Sequence, residues 1–347
     1  MSLNINRRIV LSRHSKGNIG ADIFCIKEEE IPSPKDNELL VRNHLVSMEP
    51  GLAGAITGDD YLVPSLQIGD GITGFTIGTV VKSRSPKFQE GSLVHVRGGW
   101  QDFAVVSAEP DVPEQMRPFA IDLERVPAAI WISLLSLSAF TAYIGMHVVA
   151  KAARGDVVVV SAAAGAVGSV AGQVALANGA RVIGIAGGPR KCAYLLNELK
   201  FDAAIDYQAP DFVEQLDAAC PNGIDVYFEN VGGQVLEAVW PRMNTFGRMP
   251  LCGQIAQYGA PARPRGPNLF EATIKRLTLT GIMGLDAIHG PYFAQFQKEI
   301  LAAYERGQMK QRVDIVDGLE NGPKAWLGLF SGGNIGKRLL KISDIPN

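Results

Sequence analysis

Few side chains in this 347-residue chain are placed to do chemistry alone. The five histidines (His14, His44, His95, His147 and His289) are scattered and read as packing or surface residues. A catalytic zinc needs three protein ligands of Cys, His or acid type. Residues 47–53 carry no cysteine, the glycine-rich GDGITG at 69–74 carries no histidine, and no four-cysteine cluster could hold a structural zinc, so no metal is expected. No nucleophile–base pair is visible either. The sequence offers a place for an anion instead. Residues 155–173 read GDVVVVSAAAGAVGSVAGQ, an apolar strand running into small residues where a helix must begin close by. The bare N–H groups of a helix N-terminus form an anion site.

The spacing Ala163-x-Gly165-x-x-Gly168 is a form of the dinucleotide fingerprint. It gains weight from a strand directly before it, a helix directly after it and a second strand at the right distance. Gly165, with Ala166 and Val167 opening the helix, lets backbone approach a pyrophosphate, and Gly168 lets the helix pack on the strand. The bland alternative is a small-residue contact between helix and strand. An NAD site would carry an acid about 20 residues after the fingerprint, to hold the ribose diol. Here the second strand ends Gly184-Ile185-Ala186-Gly187-Gly188-Pro189-Arg190-Lys191, with no acid and two cations. That suits a 2′-phosphate, so NADP(H) is favoured, with Gly187, Arg190 and Lys191 as contacts. The other reading of Arg190 and Lys191 is a solvated helix face. Tyr207, closing the third strand, either covers the same phosphate or packs.

The elements that must position these residues show a change of texture along the chain. Glu38–Asn43, Gly78–Lys82 and Gly91–Arg97 are short, β-branched and bounded by turn residues. Glycine is dense from 51 to 78, so loops are expected there. From about 155, six strands (Val157–Val160, Arg181–Ala186, Ala203–Tyr207, Ile224–Glu229, Gly247–Gly253, Leu277–Ile282) alternate with helices over Ala166–Asn178, Pro189–Leu199, Phe212–Cys220 and Val235–Asn244. That alternation is the doubly wound α/β pattern. Further helices are expected at Tyr292–Arg306 and Pro323–Phe330. The expected organisation is a β-rich domain from 1–125, completed by 309–347 and interrupted by a Rossmann-type domain at 126–308.

Bulk numbers exclude other classes. Net charge is −2, which gives no electrostatic case for nucleic acid or an anionic membrane. Cys25, Cys192, Cys220 and Cys252 lie far apart, which suits a reducing compartment. The N-terminal MSLNINRRIVLSRHSK is too charged for a signal peptide, so a cytoplasmic location is expected. Ala128–Ala150 is long enough to span a bilayer, but Ser133, Ser136, Ser138, Thr141, Tyr143 and Gly145 recur through it, and it reads as a buried, broken helix.

SAAAGAVGSVAGQ, IDVYFENVGG (224–233), GRMPLCGQIAQY (247–258), SRSPKFQEGSLVHVRGGWQDF (83–103) and GGNIGKRLLKI (332–342) together resemble the zinc-independent medium-chain dehydrogenase/reductases. The resemblance is to the prostaglandin reductase, curcumin reductase and alkenal double-bond reductase branch, and it covers nearly the whole chain. It implies a Rossmann-type sheet with a second, GroES-like β-rich domain. Lys191 and Tyr207 match the family's positions for the 2′-phosphate, and Asn230 lines the cofactor. Cys252, Gly253 and Ile255 lie in the loop over the nicotinamide ribose that runs to Tyr258. Ile282, closing the sixth strand, and Asn334 complete the cofactor set, although Asn334 is equally a turn former. A homodimer is implied, joined near Leu277–Ile282.

Two departures stand out. Gly188 occupies a position where the family usually has serine, and Arg190 is the candidate substitute. Gly51 and Ala53, in Ser47-Met48-Glu49-Pro50-Gly51-Leu52-Ala53, replace an aromatic and an arginine of the substrate-side loop. An open acceptor pocket without a fixed cation is expected, unless Arg263 or Arg265 supplies one. The implied reaction is NADPH-dependent reduction of the C=C bond of a small α,β-unsaturated ketone or aldehyde. Tyr258 is the candidate catalytic donor to the carbonyl oxygen. Quinone reduction and a non-catalytic NADPH-binding protein remain as alternatives.

Overall fold

The computed structural model describes residues 5–15, 19–58, 64–109, 117–258, 265–287 and 290–346. The chain divides into two compact units, one formed by Met1–Ile132, Tyr258–Pro261 and Val313–Asn347, the other by Ser133–Gln257 and Ala262–Arg312.

In the first unit, β1 (Ile5–Leu11) pairs antiparallel with β2 (Phe24–Glu30). β3 (Glu38–Ser47), β4 (Thr76–Ser83), β5 (Leu93–Val96) and the two-residue β7 (Phe119–Ala120) follow one another in a larger sheet, with β6 (Phe103–Ser107) also on β3. Sequence reading located β3, β4 and β5 but not β1, β2, β6 or β7. It also assigned 51–78 to loops, whereas Leu52–Thr57 forms a short helix, α1. Leu52, Ala53, Ala55 and Ile56 are all buried, and that burial outweighs the cost of the flanking glycines. Gly58, at φ 87°, stops the helix in a conformation that favours glycine.

The apolar segment at 128–150 is broken, as expected. α2 (Ala128–Leu134) gives way to α3 (Leu137–Tyr143), which continues into a wider π-type turn at Ile144–Val149. Ser136 makes the break: its hydroxyl donates to Ser133 O at 2.8 Å and accepts from Ala139 N at 3.4 Å, capping α3. Among the described residues no single helix is long and apolar enough to cross a membrane; the two halves pass that test only as a pair bent by 41°.

The second unit is built on β8 (Val157–Val160), α4 (Ala166–Ala177), β9 (Arg181–Ala186), α5 (Pro189–Asn197), β10 (Ala203–Asp206), α6 (Phe212–Ala219) and β11 (Ile224–Phe228). It continues through α7 (Gly233–Val239), β12 (Met243–Leu251), α8 (Leu269–Lys275), β13 (Thr278–Gly281), α9 (Gly284–Ala287) and α10 (Tyr292–Glu305). The six strands form one parallel sheet in the order β10-β9-β8-β11-β12-β13. Val158, Val159 and Val160 are fully buried, as a strand covered on both faces requires. The helix expected over Val235–Asn244 ends at Val239. A 3₁₀ turn, Trp240–Arg242, follows, and Met243 already begins β12. Pro241 explains the stop, because its ring clashes with the preceding helical turn and it donates no hydrogen bond.

The chain then returns to the first unit. β14 (Val313–Asp317) pairs parallel with β15 (Lys337–Lys341), with α11 (Gly322–Leu327) between them, and β15 lies antiparallel to β3. Among the described residues the larger sheet therefore has seven strands, with β14 and β15 joining those of the N-terminal third.

Candidate functional site

In a doubly wound sheet a ligand crevice opens at the carboxyl ends of the strands, where the strand order reverses. Here that point lies between β8 and β11. The turn after β8 is tight. Ala162 sits at φ 47°, and Gly165 N donates to Ala162 O at 2.9 Å. A methyl group on Gly168 would lie 2.4 Å from Ala162 O and 2.8 Å from Ala163 Cα, so only glycine lets α4 start this close to β8. Ala166 and Val167 form the first turn of α4, where the N–H groups have no intrahelical acceptor. The fingerprint geometry is present, with N–H groups directed out of a helix start.

At the end of β9 the backbone narrows again. A methyl on Gly187 would come within 2.9 Å of the Tyr207 ring, so Gly187 and Tyr207 are immediate neighbours. Gly188 caps α5 at φ 86°, ψ 155°, facing open space. L-residues rarely adopt that conformation, so a serine at 188 would need a different turn. Pro189, Arg190 and Lys191 open α5, with the Arg190 side chain exposed. The structure thus gathers Gly187, Gly188, Arg190, Lys191 and Tyr207 at one corner. It also adds a carboxylate that sequence reading missed. Asp206, ending β10, accepts from Gly188 N and Gln208 N through Oδ1, both at 2.9 Å. Its position at the end of the third strand was the available signal. The charge is spent on two backbone N–H groups, which fix the turn that presents Arg190 and Lys191.

Beyond the switch point the contacts are denser. Asn230 N donates to Ser161 Oγ at 2.8 Å, and Asn230 Nδ2 donates to Ser161 O at 2.7 Å. The side chain is therefore oriented with its amide nitrogen committed to the turn after β8. Cys252 N and Gly253 N both donate to Glu229 O, at 2.9 and 3.2 Å, and Ile255 N donates to Asn230 O at 3.0 Å. Ile255 opens the 3₁₀ turn Ile255–Gln257. Ile282 N donates to Leu251 O at 2.9 Å, and its side chain is nearly buried against Gly145. Asn230, Cys252, Gly253 and Ile255 thus share one crevice edge, while Ile282 serves packing.

Sequence reasoning also passed over Ser161 and Glu229. Glu229 is fully buried, and its Oε1 accepts from Ser161 Oγ at 3.1 Å, from Gly232 N at 3.0 Å and from Val231 N. Burial pushes this carboxyl up, while the two backbone donors pull it down. An acid directly after the apolar run Val226-Tyr227-Phe228, with two glycines three and four residues on, was the readable sign.

Tyr258 and Asn334 belong to the first unit. The Tyr258 ring packs on a cluster that includes Met48, Leu52, Ala53 and Trp326. Asn334 Nδ2 donates to Gly336 O at 2.8 Å, which is the turn-forming use of the residue. Segment 47–53 is anchored firmly. Lys337, whose side chain is 1% exposed, pairs with Glu49 Oε1 at 2.5 Å; Ser47 Oγ donates to the same oxygen at 2.6 Å; and Trp326 Nε1 donates to Glu49 O at 2.8 Å. Ala53 is buried in that core, so the place of the missing arginine is packed rather than open. Of the two alternative cations, Arg263 lies outside the described residues, as does His289.

These features define a nicotinamide-dinucleotide oxidoreductase of the doubly wound type. The cradle accepts no added methyl at Gly168, the helix start presents N–H donors, and the phosphate corner carries cations, so the residues present fit NADP. Residues 7–113 match the family described as "N-terminal domain of oxidoreductase", and residues 166–302 match "Zinc-binding dehydrogenase". The chain is 36% identical over 344 residues to the NADPH-dependent curcumin reductase of Escherichia coli (strain K12), covering 97% of each. It is 35% identical to the 2-alkenal reductase (NADP(+)-dependent) of Nicotiana tabacum, covering 97% of this chain and 98% of that protein. CurA of Vibrio vulnificus in complex with NADPH superimposes with a TM-score of 0.90 at 35% identity, over 97% of this chain and 99% of that one. The chain belongs to the medium-chain dehydrogenase/reductase family, in its zinc-independent branch. Among the described residues no three His, Cys, Asp or Glu side chains converge as metal ligands.

Proposed function

We propose that this protein reduces the carbon–carbon double bond of small α,β-unsaturated ketones or aldehydes with NADPH. One observation carries the reading. The complete dinucleotide corner, with Arg190, Lys191 and Tyr207 beside a strand that ends without an acid, stands in a chain that matches an NADPH-dependent curcumin reductase over 97% of its length. When bound, NADPH supplies hydride to the electron-poor β-carbon. The chain's own tasks are to hold and to stabilise. The turn 162–168 receives the pyrophosphate, and Arg190 with Lys191 neutralises the 2′-phosphate. Asn230, Cys252, Gly253 and Ile255 border the nicotinamide end, with Ile282 behind them, and the family resemblance alone makes Asn334 a cofactor residue. As charge develops on the substrate oxygen, a hydrogen-bond donor is needed. Tyr258 fills that role, since it follows the Ile255–Gln257 turn directly and packs with the substrate-side segment 47–53.

Residues 1–125 with 309–347 are read as the substrate domain and residues 126–308 as the cofactor domain. Four unbridged cysteines, Cys25 exposed among them, support a reducing, cytoplasmic setting. A homodimer is supported by β13, the last strand of its sheet, and by exposed Phe246, Leu269, Phe270 and Ile274 on the elements beside it. An unpaired edge bordered by apolar side chains is a template for a second strand.

Following NADPH oxidation with an enone, an enal, a quinone and no acceptor tests the reading. Turnover is expected with the enone and the enal. Turnover with the quinone alone, or NADPH binding with no turnover, would overturn it.

A further inference from the structure

The crevice edge beyond the switch point depends on a turn that its own residues cannot fix. Gly232 and Gly233 lie at φ 77° and 52°, both in the left-handed region, so the turn after β11 has little intrinsic preference for one shape. Yet this turn carries Asn230 and sits against Gln254, whose Cβ would lie 3.3 Å from a methyl group on Gly232. Glu229 supplies what the glycines lack. Its Oε1 accepts from Val231 N and Gly232 N on its own turn and from Ser161 Oγ on the turn after β8. Its backbone oxygen accepts from Cys252 N and Gly253 N on the turn after β12. One residue therefore ties three strand ends together beneath the crevice.

The chemistry of the tie is specific. Glu229 is fully buried, and no cation pairs with it among the described residues. A buried carboxyl without a cation is costly unless its hydrogen bonds compensate. Three donors on one oxygen, two of them backbone N–H groups of adjacent residues, provide that compensation. The buried Tyr227 hydroxyl also bears on this carboxyl, adding to the three donors on Oε1. The Ser161 hydroxyl transmits the effect: it donates to Glu229 Oε1 and accepts from Asn230 N.

We propose that Glu229 is the positioning residue of the nicotinamide-side crevice, acting through Ser161 and Asn230 to hold the 230–233 turn in its NADPH-binding shape. The proposal rests on the NADPH reading above, and titration of the unsubstituted protein separates the two: absence of NADPH binding there ends the reading itself. The test is NADPH affinity by fluorescence titration, with thermal unfolding recorded for each variant. Glu229→Ala should weaken NADPH at least tenfold. Glu229→Gln keeps an oxygen at the Oε1 position and should recover the affinity to within about threefold of the unsubstituted protein. Asn230→Ala should cost less in the Glu229→Ala background than in the unsubstituted protein, because Asn230 is already misplaced there. Ser161→Ala, a small change that carries the test even if Glu229→Ala does not fold, should weaken NADPH at least fivefold. The proposal is overturned if folded Ser161→Ala or Glu229→Ala binds NADPH like the unsubstituted protein. It is equally overturned if Gln recovers nothing, or if the Glu229 and Asn230 effects simply add.

Discussion

At the scale of single residues, the two ends of the cofactor make separable demands. Lys191 opens α5 beside Gly187 and Tyr207, where a 2′-phosphate would be received. A charge-assisted contact of this kind contributes about 1.5–3 kcal/mol. Lys191→Ala should therefore weaken NADPH more than tenfold and leave NADH nearly unchanged, as measured by titration with both. Equal losses would assign Lys191 a structural role. At the other end, Tyr258→Phe keeps the ring that packs near Met48 and Trp326 and removes only the hydroxyl. A donor that acts on developing charge is missed in turnover rather than in binding. Turnover should fall at least about tenfold, equivalent to roughly 1.4 kcal/mol, with NADPH affinity little changed. Unchanged turnover with weaker NADPH binding would leave Tyr258 a cofactor contact only.

Elements place those residues, and legibility differed by element. β8 and β9 were readable to the residue, because a run of valines and a β-branched stretch bounded by glycine admit little else. β1 and β2 were not singled out, because their charged and apolar residues mix without a clear period, and β6 is only five residues long. α1 was hidden because residues 51–58 look like a loop until burial of Leu52 and Ile56 is known. In the site, glycines and cations announced themselves through backbone and charge requirements. Glu229, Ser161 and Asp206 did not, since their roles come from contacts between different strand ends. The β-rich unit also carries a pH dependence. His95 is buried among Phe75, Phe119 and Trp131, and burial lowers it to about 3. His44, between Ser343 and Thr79, is lowered to about 4 by burial and then by Arg42. Both histidines are neutral in the folded state where the unfolded chain, with values near 6.5, takes up protons. Their contribution to stability is complete above about pH 6.5 and is lost as pH falls toward 4 and 3, at roughly one kcal/mol per pH unit for each. Thermal unfolding of the unsubstituted protein and of His95→Phe across that range checks this. The variant should lose stability less steeply, and identical slopes would contradict it.

For the whole molecule, two expectations follow. The β13 edge and the exposed Leu269 and Phe270 support a dimer through the cofactor unit. Placing a charge there, as in Phe270→Glu, should shift the protein toward monomer in sedimentation, whereas an unchanged mass would locate any association elsewhere. Delivery of hydride to the β-carbon rather than to the carbonyl carbon defines the reaction. In a single reaction, NADPH carrying deuterium at the transferable position is mixed with a simple enone, and the product is examined by NMR and mass spectrometry. The expected product is a saturated ketone with one deuterium on the former β-carbon and none on the carbonyl carbon. An allylic alcohol with deuterium on the carbinol carbon, or bound NADPH with no product at all, would contradict it.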